Sequence, residues 1–294
     1  MEVLQTPEGK YTTVGTLGRD LFWYVRVLQD ITGARLALRT IPWFEESEAD
    51  KNAFQKRKIE ELISLSHPNI AKYCEVLGSE GPNTDILDEQ GRPCVKLLME
   101  FGEDPWTCYI YSLMNDNGFG GDKDRTRQLL LDCLRGLDYL ESKEVTHGGI
   151  TPVNITWSLC HGLDTYQIVD LGNMDPVGPG ESFLGPRRYD APELHKLRTG
   201  KRRYKQHIWS LFVIMAEAYD REFRETLRTR PTRDIIEHVQ RVSELAKFEP
   251  LRPMACLNPD ERISAGDMLD LMFGGEGRST PGTAENRGHI DWPI

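Results

Sequence analysis

The hydrophobic period of this chain changes near Gly102, and that change limits the folds open to it. From Tyr11 to Ile41 the pattern is strand-like. The run Leu21–Val27 is rich in aromatic and β-branched residues, and Thr32-Gly33 marks a turn before Leu36–Ile41. Phe54, Ile59, Leu62 and Ile63 then recur at helical spacing up to His67-Pro68-Asn69. Ala71–Leu77 and Cys94–Phe101 read as strands joined by a long polar connection. Beyond Gly102 the spacing is helical. Leu130, Cys133, Leu134, Leu137 and Leu140 line one face of a helix over Lys123–Ser142. Short strands are expected around Ile155 and Gln167–Val169, and helices over Ile208–Tyr219, Arg233–Phe248 and Ala265–Phe273. Ser264-x-x-Asp267 opens the last as a capping box. Strands first and helices second predict an α+β chain in two segregated lobes: residues 11–101 β-rich with one main helix, and residues 102–273 helical. Residues 1–10 are read as an N-terminal tail and 274–294, rich in Gly, Pro and polar residues, as a disordered C-terminal tail.

Composition narrows the partners. A net charge of −10 and a pI near 5.3 argue against nucleic acid, which needs basic surface. Ile208–Tyr219 is too short to span a bilayer and carries Glu217, so it reads as a core helix, and no membrane partner is expected. Six scattered cysteines without a C-x-x-C pair, and a polar N-terminus without a signal-peptide core, predict reduced thiols in cytoplasm or nucleus.

Several segments stand in a telling order. His147-Gly-Gly-Ile-Thr-Pro-Val-Asn154 is followed sixteen residues on by Asp170-Leu171-Gly172, then by Ala191-Pro192-Glu193, Ile208-Trp209-Ser210-Leu211 and Asn258-Pro-Asp-Glu-Arg262. His67-Pro-Asn-Ile70 and Leu98-Met-Glu100-Phe101 precede them. Each is weak alone. In this order the set resembles the protein kinase superfamily, whose catalytic loop reads H-R-D-L-x-x-x-N, followed by D-F-G and A-P-E. The resemblance implies the bilobal kinase fold, with a hinge at Glu100 and Gly102.

It also implies which parts are altered. Phosphoryl transfer needs phosphates held by close backbone and a lysine, metal held by Asp and Asn, and an Asp that takes the substrate proton. In the glycine-rich loop position, Leu17-Gly-Arg-Asp20-Leu-Phe-Trp23-Tyr-Val25 keeps only the first glycine. A carboxylate and an indole stand where phosphate must approach backbone N–H groups. Trp23 either fills the nucleotide space or is an ordinary aromatic on a strand. Arg39 replaces the strand lysine and Lys58 its usual glutamate partner, unless a register slip supplies Glu61. Gly149 occupies the base position, Thr151 replaces the loop lysine, and Thr156 falls under the expected adenine. Losing the base forfeits ~10²–10⁴-fold in rate. Asn154 and Asp170 match the metal-holding pair, but two oxygen ligands without nucleotide make a poor magnesium site, so neither metal nor cofactor is expected. His147, Leu171, Glu193 and Arg262 match structural positions, with Glu193 and Arg262 as a buried ion pair.

The reading is an inactive kinase-like domain, a pseudokinase, that scaffolds or regulates a protein partner such as an active kinase. Its rival is a residual or redirected phosphotransferase using Arg39, Asn154 and Asp170. One basic stretch runs through Arg187, Arg188, Lys201, Arg202, Arg203 and Lys205. It reads either as a dock for an acidic or phosphorylated segment or, more simply, as a solvated loop.

Overall fold

The computed structural model describes residues 3–6, 9–19, 24–100, 108–115, 119, 122–160, 162–169, 187–196 and 204–282. The chain divides between Cys108 and Tyr109 into two compact units.

The first unit is built on a six-stranded antiparallel sheet. Its strands are β1 (Val3–Thr6), β2 (Gly9–Arg19), β3 (Tyr24–Gln29), β4 (Arg35–Pro42), β5 (Tyr73–Leu77) and β6 (Cys94–Glu100), in the order β1-β2-β3-β4-β6-β5. β1 falls in the stretch read as a tail. It pairs with β2 from Val3↔Thr12 to Thr6↔Gly9, a four-residue strand too short to show alternation. At the β3–β4 turn the Asp30 carboxylate accepts from the N–H groups of Thr32 (2.8 Å) and Ala34 (2.9 Å), and Gly33 takes φ +93°. That is the turn marked by Thr32-Gly33, with the side-chain hydrogen bonding that favours Asp in turns. Tyr11, Leu28, Leu38 and Leu98 form a core cluster, joined at its edge by Leu36, Cys74 and Leu77. The helix α1 (Ala49–Ile63) buries Gln55, Ile59 and Leu62 and exposes most of its charges. The long β5–β6 connection is pinned where the Trp43 indole donates to the Gly78 carbonyl at 2.9 Å.

The second unit contains α2 (Ile110–Asn115), α3 (Lys123–Ser142), α4 (Pro192–Lys196), α5 (Lys205–Tyr219), α6 (Arg221–Thr229), α7 (Ile235–Ser243) and α8 (Ala265–Phe273). It also holds the antiparallel hairpin β8 (Ile155–Cys160) and β9 (Leu163–Ile168), within a short sheet ordered β7 (Cys108–Tyr109), β8, β9. α3 starts at Lys123 because the Asp122 side chain accepts from the Arg125 N–H at 3.0 Å, an N-cap. α8 starts likewise on Ser264, whose hydroxyl oxygen accepts from the Asp267 N–H at 3.1 Å. Every residue from Gln206 to Ala218 in α5 is buried, so this helix is the centre of the unit's core. No helix of the described residues is long and apolar enough to cross a membrane.

Two expectations need correction, and one helix lay outside them. The single helix over Arg233–Phe248 stops at Ser243. Leu245 is extended, and residues Ala246–Ala255 form 3₁₀ turns around Pro250 and Pro253, which cannot donate to an α-helical ladder. α6 was not foreseen, because its charged sequence carries only Phe223 and Leu227, four apart, as buried apolar contacts. Residues 274–282, read as disordered, are instead held against α3 and α8. Their glycines are turn formers: Gly274, Gly275 and Gly277 have φ of +62°, +81° and +73°, a region where side chains are strained. Residues 283–294 lie outside the described residues.

Candidate functional site

The segment from Val145 to Asn154 links α3 to β8 and is fixed by its own polar groups. Val145 donates from its backbone to the Leu140 carbonyl at 2.9 Å, closing the end of α3. His147 is buried; its Nδ1 accepts from the Gly149 N–H at 3.3 Å. A nitrogen that accepts carries no proton in the neutral ring, so Nε2 holds it and donates to the Val169 carbonyl at 2.9 Å. Both ring nitrogens are therefore engaged in holding the loop against the chain just past β9. Gly148 takes φ +90°, which glycine tolerates and other residues rarely do.

Asn154 completes the closure. Its Nδ2 donates to the Gly149 carbonyl at 2.8 Å, its backbone N–H to Thr151 at 2.9 Å, and its carbonyl accepts from the Val169 N–H at 2.9 Å. Gly149 thus has its N–H and its carbonyl both bonded inside the loop, and it presents no side chain. The Thr151 hydroxyl is buried without a hydrogen-bond partner among the described residues. Thr156 is buried on β8, and its hydroxyl points to the Gln167 carbonyl on β9 at 3.4 Å. Asn154 Oδ1 is the side-chain oxygen with which the loop could meet a cation. Asp170 and Leu171 lie outside the described residues, and no group of three or more metal-ligating acids, His or Cys occurs among those described.

The first unit holds the other positions. Arg39 is buried at the middle of β4, opposite Val25 on β3 and Leu97 on β6. Lys58 on α1 forms an ion pair with Glu61 one turn on. Glu61, the glutamate that a register slip would supply, is the partner of Lys58. Glu100, at the end of β6, pairs with Lys72 at 2.9 Å on the surface, and its hydrogen bond raises the lysine's pKa. Asp20, Trp23 and Gly102 lie outside the described residues.

The structural pair expected at Glu193 and Arg262 is present. Arg262 is fully buried and grips Glu193 through two parallel bonds of 2.8 and 2.9 Å. Two further donors go to the Cys256 carbonyl at 2.9 Å and the Lys205 carbonyl at 3.0 Å. The guanidinium lies 5.5 Å from the Trp209 ring centre. This knot ties α4 to the start of α5 and to the segment before α8. In the basic stretch, Lys205 donates to the Asp260 carbonyl at 3.1 Å and Arg188 is half-buried in a 3₁₀ turn over Arg187–Tyr189. Lys201, Arg202 and Arg203 lie outside the described residues.

One network was missed. Glu217, buried in the last turn of α5, accepts from the Tyr189 hydroxyl at 2.6 Å, while the Ser210 hydroxyl donates to the Tyr189 carbonyl at 2.7 Å. Arg224 on α6 donates to the Glu217 carbonyl at 2.8 Å and to the Met114 carbonyl. Burial pushes the Glu217 carboxyl up, against the Tyr189 hydrogen bond and nearby arginines that pull it down. The signal was available: a glutamate inside an apolar helix needs a donor somewhere. His207, at the start of the same helix, lies edge-on to His147 with ring centres 6.2 Å apart.

A β-rich unit with one helix, a helical unit with a histidine-anchored loop, and a buried Glu–Arg knot define a bilobal α+β domain of the kinase type. The chain belongs to the protein kinase family: it matches the protein kinase domain over residues 11–273. It is similar to the inhibitor of nuclear factor kappa-B kinase subunit alpha of Xenopus tropicalis, 32% identical over 145 residues, 47% of this chain and 18% of that protein. It is also similar to the serine/threonine-protein kinase ssp1 of Schizosaccharomyces pombe, 24% identical over 294 residues, 86% of this chain and 41% of that protein. The chain thus spans less than half the length of either relative.

Proposed function

We propose that this chain is a catalytically inactive kinase domain, a pseudokinase, that works by binding a protein partner as a scaffold or allosteric regulator in signalling. The observation that carries this is Gly149. At the place where phosphoryl transfer needs a carboxylate to receive the substrate proton, the chain offers a glycine whose backbone groups are both already bonded to His147 and Asn154. Thr151, short and buried, does not extend a cation from the loop. Lys58 stands where the family resemblance puts a glutamate, and it pairs with Glu61 on its own helix. A buried Arg262–Glu193 knot beside these changes fits a domain kept for its shape. The partner class that suits such a domain is an active kinase, or an acidic or phosphorylated segment meeting the basic stretch, in cytoplasm or nucleus.

The kinase names of the relatives and the intact anchoring of Asn154 favour the second reading, a residual phosphotransferase that uses Arg39, Asn154 and Asp170. Thermal unfolding in ATP with Mg²⁺ or Mn²⁺ separates the two readings. A ligand at a hundred times its Kd adds ~2.7 kcal/mol to stability. The expected outcome is no saturable rise in Tm and no labelled phosphate passed from ATP to the chain or to a generic basic protein. Metal-dependent labelling would overturn the inactive reading.

A further inference from the structure

Residues 274–282 form a strap that turns back from α8 onto α3. Asp138 on α3 is fully buried. Its carboxylate accepts from the backbone N–H groups of Ser279 and Thr280, the latter at 3.0 Å, and from the Thr280 hydroxyl. Beside it Arg278 donates to Asp270, to Asp267 at 3.2 Å and to the Pro281 carbonyl at 2.8 Å. Arg135 on α3 holds the strap's Glu276. α8 is relieved to admit this contact: a Cβ on Gly266 would stand 2.5 Å from Thr280 Oγ1 and 2.6 Å from Asp138 Oδ1. Gly266 is in the first turn of α8, where a residue without a Cβ leaves room for the strap.

We propose that Thr280 is a phosphorylation site for a serine/threonine kinase whose cleft accepts proline after the acceptor residue, and that its modification releases the strap. Pro281 follows Thr280 directly, and Ser279, Pro281 and Gly282 are all exposed. Proline has no N–H and biases the residue before it to an extended backbone, the form a kinase cleft reads. In the step, Thr280 Oγ attacks the γ-phosphorus of a nucleoside triphosphate held by the other kinase. The bond from that phosphorus to the β-phosphate oxygen breaks, a nucleoside diphosphate leaves, and the hydroxyl proton passes to the other kinase's base. Once esterified, Thr280 Oγ has no hydrogen to give Asp138, and the phosphate carries a charge of about −1.5 to −2 near pH 7. That charge would sit at hydrogen-bonding distance from a buried carboxylate, with Asp267 and Asp270 behind it. Arg278 is already shared by the two acids on α8 and cannot neutralise all of them. Like-charge repulsion therefore opens the strap.

The test treats the full chain with ATP and a proline-directed kinase, maps phosphate by mass spectrometry and follows amide hydrogen exchange. Phosphate on Thr280 is expected, absent in Thr280→Val, with exchange at Ser279 and Thr280 speeding up at least tenfold. Gly266→Ala, which crowds Thr280 without adding charge, is expected to speed the same amides with no kinase present. Two results overturn the proposal: a folded chain left unmodified at Thr280 while a peptide of residues 274–286 is labelled, or full modification with unchanged exchange.

Discussion

Arg262 has no exposure to water, and its guanidinium donates four hydrogen bonds: two to Glu193 and one each to the Cys256 and Lys205 carbonyls. Such a group is stable only while its acid is present, because an unpaired buried cation carries its full desolvation cost. Glu193→Ala should lower unfolding free energy by ~3–5 kcal/mol in urea titrations at pH 7. Glu193→Gln, which keeps one acceptor oxygen, should lower it less. A loss below ~1 kcal/mol for the alanine variant would mean the knot is solvated, as surface pairs are. This pair was legible from the sequence, since both residues sit in recognisable motifs. The Tyr189–Glu217 contact was not: Glu217 advertised a need for a donor, but only the fold says that Tyr189, twenty-eight positions earlier, supplies it.

Among the elements, α6 shows why short helices escape a periodicity reading. It has two buried apolar contacts, Phe223 and Leu227, so its beginning depends on a cap. The Asp220 carboxylate accepts from the Phe223 N–H at 3.1 Å and pairs with Lys247. Burial by itself would raise this carboxyl's pKa; the Lys247 and backbone hydrogen bonds outweigh it and hold the group below its ordinary 3.8. A folded pKa below the unfolded one means the unfolded chain takes up the proton first. The contribution is therefore complete well above pH 3.8 and is lost as pH falls below it, through the folded pKa. Asp220→Ala is expected to lower stability by ~1 kcal/mol near pH 7, as N-cap losses do. The deficit should shrink in unfolding titrations carried below pH 4; a deficit constant with pH would show that the charge is idle. The strap at 274–282 escaped for the opposite reason. Its glycines and Pro281 match the composition of disordered chain, while its order comes from Asp138, more than a hundred residues away in sequence.

For the whole molecule, the succession of strands then helices gave the fold class, and the succession of motifs gave the family, because both are properties of order along the chain. What a loop can do chemically depends on which of its groups are already occupied, and no motif records that. In the loop after α3, His147 and Asn154 are engaged with main-chain partners at 2.9 and 2.8 Å, so the backbone that would carry a catalytic acid is already in place. Gly149→Asp would therefore add the missing carboxylate to an ordered frame. We nevertheless expect it to create no kinase activity. A base helps only when nucleotide, metal and phosphate clamp are set together, and groups of this kind act as a unit rather than additively. Thr151 brings no charge, Lys58 is paired with Glu61 on its own helix, and in the proposed reading Asp20 and Trp23 stand where the phosphate loop needs glycines. The measurement compares labelled phosphate transfer from ATP by the wild-type chain and by Gly149→Asp, to themselves and to a basic protein, with unfolding curves to show that both are folded. Equal, background-level labelling is the expected result. Strong metal-dependent labelling by the single variant would mean that the phosphate site is intact and that only the base is missing, making the natural chain a kinase silenced at one position.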